Sequence, residues 1–312
     1  MKLVCPNCKQ NLIELACDEP ELKKEPDLFC ANCNTRYYIV NGVPILTHID
    51  NLGWVGLDAA YRLYTRDQLS IPFDQFFNLI NKYSSPTIKD LETLLRLSFS
   101  ERCVESQHIN YINERNPYYN ELYKKTCKPI YEWVTDVVER YACGNSDILD
   151  IGIGGGQMEH YLSAAFPNTT TWGIDIDFSL CTRCYYQLET GNFPNVRVLC
   201  ADVKTMPIAS NSVDCVVSSG GLSHIEGLNK ALKEIYRVLK PGGVVICAEF
   251  ETPITSPCVQ PFLTSIDRSN GFKDIKNRLI ELDFSLVDER LNIGADSLNP
   301  QHGAIFQKAF SF

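Results

Sequence analysis

The sequence predicts an α/β protein whose larger part is a doubly wound, mainly parallel sheet with helices on both faces. Three observations lead there. From about residue 145 onward, short apolar segments recur with helix-length stretches between them: DILDIG, TTWGIDI, VRVLCAD, DCVVSS and GGVVICAEF. Strands that alternate with helices run parallel, because each helical crossover returns the chain to the end where the last strand began. The first strand, in DILDIGIGGGQMEHYL at 147–162, breaks into glycines and resumes as a helix, an arrangement that brings backbone amides close to a ligand. Finally, 312 residues at 45% hydrophobic and 21% charged suffice for one large folded domain with an appendage, or for two domains.

Three regions follow in order, at 1–50, 51–140 and 141–312. The first holds CPNC at 5–8 and CANC at 30–33, a C-x2-C-x21-C-x2-C pattern. Two tight knuckles carrying Cys5, Cys8, Cys30 and Cys33 can complete a tetrahedron of thiolates around one ion. Zn²⁺ accepts that geometry without a ligand-field cost, and four sulfurs leave no open position, so the site reads as structural. Iron fits the same tetrahedron. So short a module buries little core, and ion binding worth about 10–16 kcal/mol would be what folds it. It ends in YYIVNGVPIL, a β-rich run with an Asn-Gly turn. No apolar stretch approaches the ~20 residues that cross a bilayer, and no membrane association is expected. The start, MKLVCPNCKQ, has no apolar signal region. Fourteen cysteines in such a chain point to reduced thiols in the cytoplasm rather than a disulfide framework.

The second region is nearly free of glycine after Gly56 and reads as helical. In SSPTIKDLETLLRLSFS, Pro86 follows Ser85 in a first-turn position, with Ile88, Leu91 and Leu95 on one face. A second stretch, NPYYNELYKKTCKPIYEWVTDVVERYACG, is expected to bend or break at Pro129 and close at Gly144. The region serves as a lid over the sheet, with Tyr118, Tyr119 and Tyr123 either walling a pocket or packing on the core.

The glycine turn narrows the ligand. A phosphate-binding loop needs Lys-Ser/Thr after its last glycine, and GGGQMEH has none. A dinucleotide fingerprint starting at Gly152 would need glycine at 157, where Gln stands. What remains is D-x-G-x-G-x-G, with Asp150, Gly152, Gly154 and Gly156. An acid there repels a pyrophosphate but attracts an ammonium, so amides and carboxylate together suit an amino acid zwitterion. Asp175 ends the second strand where a ribose would offer two hydroxyls, although a dehydrogenase would carry an acid there too. Asp202 closes the third where an adenine amino group would lie, with Met206 or Pro207 over the ring. Cys181 and Cys184 form a further C-x2-C, with no second pair nearby in sequence, and read as core packing. The cysteines at 103, 127, 143, 200, 215, 247 and 258 read the same way.

LDIGIGGG, GIDID, ADVKTMPIASNSVDCVVSS and RVLKPGG, in this order and spacing, resemble the class I S-adenosylmethionine-dependent methyltransferases of the type 11 group. The resemblance covers about 145–250 well and the rest to 312 loosely. It implies a seven-stranded Rossmann-like sheet with an antiparallel last strand, FSLVDERL and GAIFQKAFSF supplying the final two. It also implies that Asp150 and the three glycines hold the methionine end, Asp175 and Ile176 the ribose, and Asp202 with Val203 the adenine, with Ser219 beside the same ligand. One departure is GIGGG where the family often has GCGTG, which removes a hydroxyl but no backbone contact.

Methyl transfer from a sulfonium is an in-line displacement, so the protein mainly aligns reactants and manages one proton. His224, in SSGGLSHIEGL, and His108, in SQHINYINERNPYYN, are the candidates for a base. His224 equally suits a loop held by hydrogen bonds. Glu249 and Glu251 either bind an acceptor amine or face water.

The N-terminal module resembles zinc ribbons at the front of bacterial ribosomal-RNA guanine methyltransferases, and the zinc-ribbon subunits that activate tRNA and protein methyltransferases. That likeness implies an RNA or translation-factor substrate. Charge points the other way: residues 1–50 hold five Lys/Arg at 2, 9, 23, 24 and 36 against seven Asp/Glu, and the chain carries −9 overall. An RNA grip needs a cationic stripe that this ribbon lacks. The reading is methyl transfer to a small molecule or peptide, with the ribbon packed on the helical lid. An RNA-base methyltransferase is the alternative. A non-catalytic adapter is the third reading, which the intact set of Asp150, Asp175 and Asp202 disfavours. Oligomeric state is not legible.

Overall fold

The computed structural model describes residues 1–15, 27–40, 42–47, 127–142, 146–154, 156–178, 180–181, 184–185, 188, 193–251, 270–293 and 300–310. The predicted helix behind Pro86, the tyrosines at 118, 119 and 123, and His108 lie outside these residues, as do Gly144, Cys103, Cys143 and Cys258.

The N-terminal module is a small antiparallel sheet of β1 (Ile13–Glu14), β2 (Leu28–Cys30) and β3 (Thr35–Tyr37), followed by the hairpin of β4 (Ile39–Val40) and β5 (Val43–Pro44). Helix α1 (Lys128–Tyr141) comes next among the described elements. Ile130, Trp133, Val134, Val137 and Val138 recur at helical spacing and are buried against the sheet with Ile148, Val217 and Ile246. Pro129 does not bend this helix. It stands in the first turn, where its missing N–H costs no hydrogen bond. The helix therefore forms part of the sheet's core, although its sequence lies in the region expected to form the lid.

The remaining elements are β6 (Asp147–Ile151), α2 (Gln157–Ala165), β7 (Thr170–Asp175), β8 (Val196–Cys200), β9 (Val213–Ser219), α3 (Leu228–Val238), β10 (Leu239–Phe250), α4 (Phe272–Glu281), β11 (Phe284–Arg290) and β12 (Gln301–Lys308). The seven large strands order as β11-β12-β10-β9-β6-β7-β8. Only β12 runs antiparallel to its neighbours, as expected of the last strand. β6 and β9 are buried almost throughout because helices cover both faces of a central parallel strand. β6 pairs with β7 on one side and β9 on the other, so chain order reverses there. Ligands of open α/β sheets bind in the crevice at such a switch point, beyond the carboxyl ends of the strands.

The ribbon packs on the sheet domain; the stretch 51–126 of the lid, on which its sequence led us to expect packing, lies outside the described residues. Leu3 bridges Ile208, Val4 N–H donates to Pro207 O at 2.9 Å, and Ile45 bridges Cys200 at the end of β8. Its buried Cys5, Leu28, Cys30, Tyr37 and Leu46 join the main core cluster with Met206, Ile208 and Leu232. An edge strand with free backbone groups is an adhesive surface, and the ribbon's tail covers the carboxyl end of this one.

Candidate functional site

The glycine turn leaves β6 with Gly152, Gly154 and Gly156 all in the left-handed region, at φ of 76°, 52° and 80°. Among the described residues, a side chain on Gly154 would meet nothing closer than Gly152 O at 4.0 Å, whereas one on Gly152 or Gly156 would meet Gly221 Cα at 2.9 Å or Cys184 Sγ at 2.7 Å. Asp175 braces the turn from β7: its Oδ2 accepts from Gly154 N at 3.2 Å and its Oδ1 from Asp177 N at 2.9 Å. The half-buried carboxylate retains lone pairs for hydroxyl donors. Burial, then the charge of Asp177, pushes its pKa up to about 6. Ile176 is half-buried beside it.

Asp150 lies beneath the turn, almost fully buried, and its Oδ1 has no hydrogen-bond partner among the described residues. Beside it is a residue that the sequence alone did not single out. Glu159, on the first turn of α2, is fully buried, with both carboxyl oxygens unpartnered among the described residues. Gly173 stands opposite Asp150 across β6 and β7, and a β-carbon there would fall 2.6 Å from Glu159 Oε1. The missing side chain makes the space for this carboxyl. A small residue inside an otherwise bulky strand was the one available signal. Burial, then the charges of Glu159, Asp175 and Glu249, raises the Asp150 carboxyl well above the usual range. Burial takes Glu159 up to about 7.

Asp202 and Val203 are half-buried at the end of β8. Asp202 caps the single 3₁₀ turn Val203–Thr205, its Oδ1 accepting from Lys204 N at 2.9 Å. Met206 and Pro207 do not cover an open face here. Met206 is fully buried in the core beneath the ribbon, and Pro207 is buried beside it.

The fourth edge is the loop after β9. Ser219 is half-buried, and Gly220 and Gly221 lead into the 3₁₀ turn Leu222–His224. His224 is exposed at the end of that turn, its ring 6.4 Å from that of Phe250 at the end of β10. Glu249 neither faces water nor awaits an amine. Fully buried on β10, it accepts from Ser218 Oγ at 2.6 Å, Leu222 N at 3.3 Å, Ser223 N at 3.0 Å and Ser223 Oγ at 2.6 Å. Four donors account for its lone pairs, so Glu249 fastens the loop to the sheet. Neither serine stood out in the sequence. Glu251 is exposed, 4.0 Å from His302 Nε2.

Acids at or near the ends of three adjacent strands thus stand around a glycine turn whose Gly154 is uncovered among the described residues.

Residues 149–247 match the family model described as a methyltransferase domain.

The curated relatives agree over part of their length. A ubiquinone/menaquinone biosynthesis C-methyltransferase of Rickettsia typhi is 31% identical over 123 residues, 38% of this chain and 50% of the relative. The Klebsiella pneumoniae subsp. pneumoniae enzyme of the same name is 43% identical over 112 residues, 35% of this chain and 45% of the relative. The chain spans half or less of the length of these relatives. Among solved structures, a Galdieria sulphuraria protein described as a candidate sarcosine dimethylglycine methyltransferase superposes with a TM-score of 0.50 at 16% identity. That alignment covers 65% of this chain and 91% of the other, and it shows a shared fold.

Outside the matched residues, the structure brings the four ribbon cysteines together. One sulfur each from Cys5, Cys8, Cys30 and Cys33 lie within 4.8 Å of one another, with Cys5 and Cys33 at 3.9 Å and Cys8 and Cys30 at 3.5 Å. Metal–thiolate bonds of ~2.3 Å in a regular tetrahedron put sulfurs ~3.8 Å apart, so the set fits one ion of zinc's size. Cys33 N–H points at Cys30 Sγ at 3.4 Å, an amide–sulfur contact that favours the thiolate. The other C-x2-C behaves as expected of packing: Cys181 and Cys184 are fully buried in the methyltransferase domain among Val43, Phe178 and Val198. Among the described residues no helix is long and apolar enough to cross a membrane.

Proposed function

We propose that the chain is an S-adenosylmethionine-dependent methyltransferase acting on a small-molecule or peptide acceptor. The observation that carries this reading is the row of Asp150, Asp175 and Asp202 around a left-handed glycine turn whose Gly154 is uncovered among the described residues. In this reading the glycine turn and Asp150 take the zwitterionic end of the cofactor, Asp175 and Ile176 its ribose, Asp202 and Val203 its adenine, and Ser219 the side nearest the methyl group. The sulfonium, when bound, supplies an activated methyl group that passes to the acceptor in line with the breaking carbon–sulfur bond. The chain's own task is alignment, worth about 7–11 kcal/mol of barrier when the reacting atoms are held in near-attack geometry. His224 is the candidate base among the described residues, with His108 a second. A proton leaves the acceptor only where its attacking atom bears one.

The partial likeness to quinone-pathway C-methyltransferases supports a small acceptor, with carbon first among the acceptor atoms. Charge supports it too: two of the ribbon's cations are engaged within the protein, Lys9 with Glu234 and Arg36 with Asp27, and are not free to grip phosphates. We assign one structural Zn²⁺ to Cys5, Cys8, Cys30 and Cys33, a cytoplasmic setting that keeps these thiols reduced, and a three-part chain of ribbon (1–50), acceptor region (51–140) and cofactor core (141–312).

Calorimetry with S-adenosylmethionine tests the cofactor reading. The native chain binds it, and Asp175→Ala weakens binding at least about tenfold, as expected for loss of a charged acceptor to two hydroxyls. Equal affinity in both proteins, or tight binding of a nicotinamide dinucleotide instead, sinks it.

A further inference from the structure

We propose that the metal-bound knuckle of the ribbon positions the adenine side of the cofactor site, with Lys9 as the positioning residue between them. This rests on the cofactor reading above. Asp202 and Val203 stand between two stretches of chain, and both are fastened to the ribbon. Before them, Cys200 O accepts from Leu46 N at 2.8 Å and Ile45 bridges the same residue in parallel. After them, Pro207 O accepts from Val4 N at 2.9 Å, Ala209 N donates to Lys2 O at 3.0 Å, and Leu3 bridges Ile208. Lys9, next to Cys8, donates to Met206 O at 3.1 Å and pairs with Glu234 of α3 at 3.0 Å.

These fasteners hold their relative places only while the ribbon holds its shape. Residues 2–4 and 9 flank the first knuckle, where Lys9 N donates to Cys5 O at 2.9 Å. Ile45 N donates to Tyr38 O at 2.8 Å, and the neighbouring Tyr37 hydroxyl lies 3.3 Å from Cys5 Sγ. A module this small is shaped by its ion, because its buried area alone cannot offset its chain entropy. The core keeps a hold of its own, since Arg237 donates to Met206 O at 3.1 Å and to Ile208 O at 2.7 Å. Releasing the ribbon therefore loosens the Asp202 loop without unfolding it. A loop that must be ordered on binding lowers affinity by the cost of that ordering.

Lys9 lies outside the thiolate set and outside the proposed cofactor contacts, so Lys9→Ala separates positioning from metal loss. The experiment measures zinc content and calorimetric affinity for S-adenosylhomocysteine in native chain, Lys9→Ala, Lys9→Arg, and native chain stripped with a chelator and then resupplied with zinc. Expected are one zinc per chain in all but the stripped form, affinity weakened about tenfold in Lys9→Ala and in the stripped form, and recovery in Lys9→Arg and on return of zinc. A folded, zinc-loaded Lys9→Ala that binds as the native chain does overturns the proposal, and so does failure of Lys9→Arg to recover. If the native chain binds no S-adenosylhomocysteine at all, the cofactor reading itself is what falls.

Discussion

Glu159→Gln stabilises the chain at pH 8 and flattens its dependence of stability on pH. Burial holds the Glu159 carboxyl at about 7 in the folded protein, against an ordinary value of 4.5. Between those values the native state keeps a proton that the unfolded chain has released. Stability that is fully present below about 4.5 is thus lost progressively as pH rises toward 7. A shift of that size corresponds to a cost on the order of 3 kcal/mol above the window. Of the acids facing Glu159, Asp150 on β6 relieves part of this cost through their side-chain contact, whereas the charge of Asp175 on β7 adds to it. Asp175, at about 6, contributes a dependence of the same sign over a lower window, and that part survives in the variant. Glutamine keeps the shape and carries no charge to desolvate. Denaturant titrations at pH 4 and pH 8 check the result. The variant matches the native chain at the lower pH and exceeds it by a few kcal/mol at the higher one. A variant no more stable than the native chain at pH 8 contradicts this account. The cost is retained, on our reading of the site, because carboxyl groups gathered under the glycine turn release their protons when a cationic ligand comes beside them.

Much of this arrangement is legible in the order of residues alone. The five segments from 147 onward became β6 to β10, because strands covered by helices are written as short apolar-rich runs between helix-length stretches. Paired C-x2-C knuckles need a fixed spacing, and that spacing survives in one dimension. Asp175 and Asp202 follow directly from strand ends. What stayed hidden depends on partners distant in sequence. Glu159 reads as an ordinary polar helix residue until Gly173 is placed opposite Asp150. Glu249 reads as a ligand for an amine until Ser218 and Ser223 are seen to occupy it. The ribbon's docking runs largely through backbone bridges such as Leu3 with Ile208, which carry no side-chain signature. Pro129 illustrates a different failure, since a proline marks either a kink or a first turn, and only the helix boundary decides between them.

Gly221→Ala is expected to cost more than any other single-methyl change around the site. A β-carbon there would lie 2.1 Å from Ile151 O and 3.0 Å from Ile151 C. Both are backbone atoms at the end of β6, where the glycine turn begins, and neither can rotate away. Gly221 itself sits at φ −68° and ψ −47°, a conformation alanine adopts freely, so the whole penalty comes from overlap. Relief requires parting the β9 loop from the glycine turn. That in turn strains the bonds from Leu222 and Ser223 to Glu249, leaving a buried carboxylate under-satisfied. The combined loss is about 3 kcal/mol or more, with cofactor affinity falling alongside it. Gly227→Ala provides the contrast. Its φ of 72° strains alanine, but the nearest atom is the Lys204 side chain at 3.7 Å, so only the backbone term of roughly 1–2 kcal/mol applies. Thermal melts and cofactor calorimetry on the two variants separate the effects. The close approach of the two loops predicts a large loss in both measurements for Gly221→Ala. Gly227→Ala should show a small loss of stability with affinity retained, and equal behaviour of the two would mean the contact at Ile151 is dispensable.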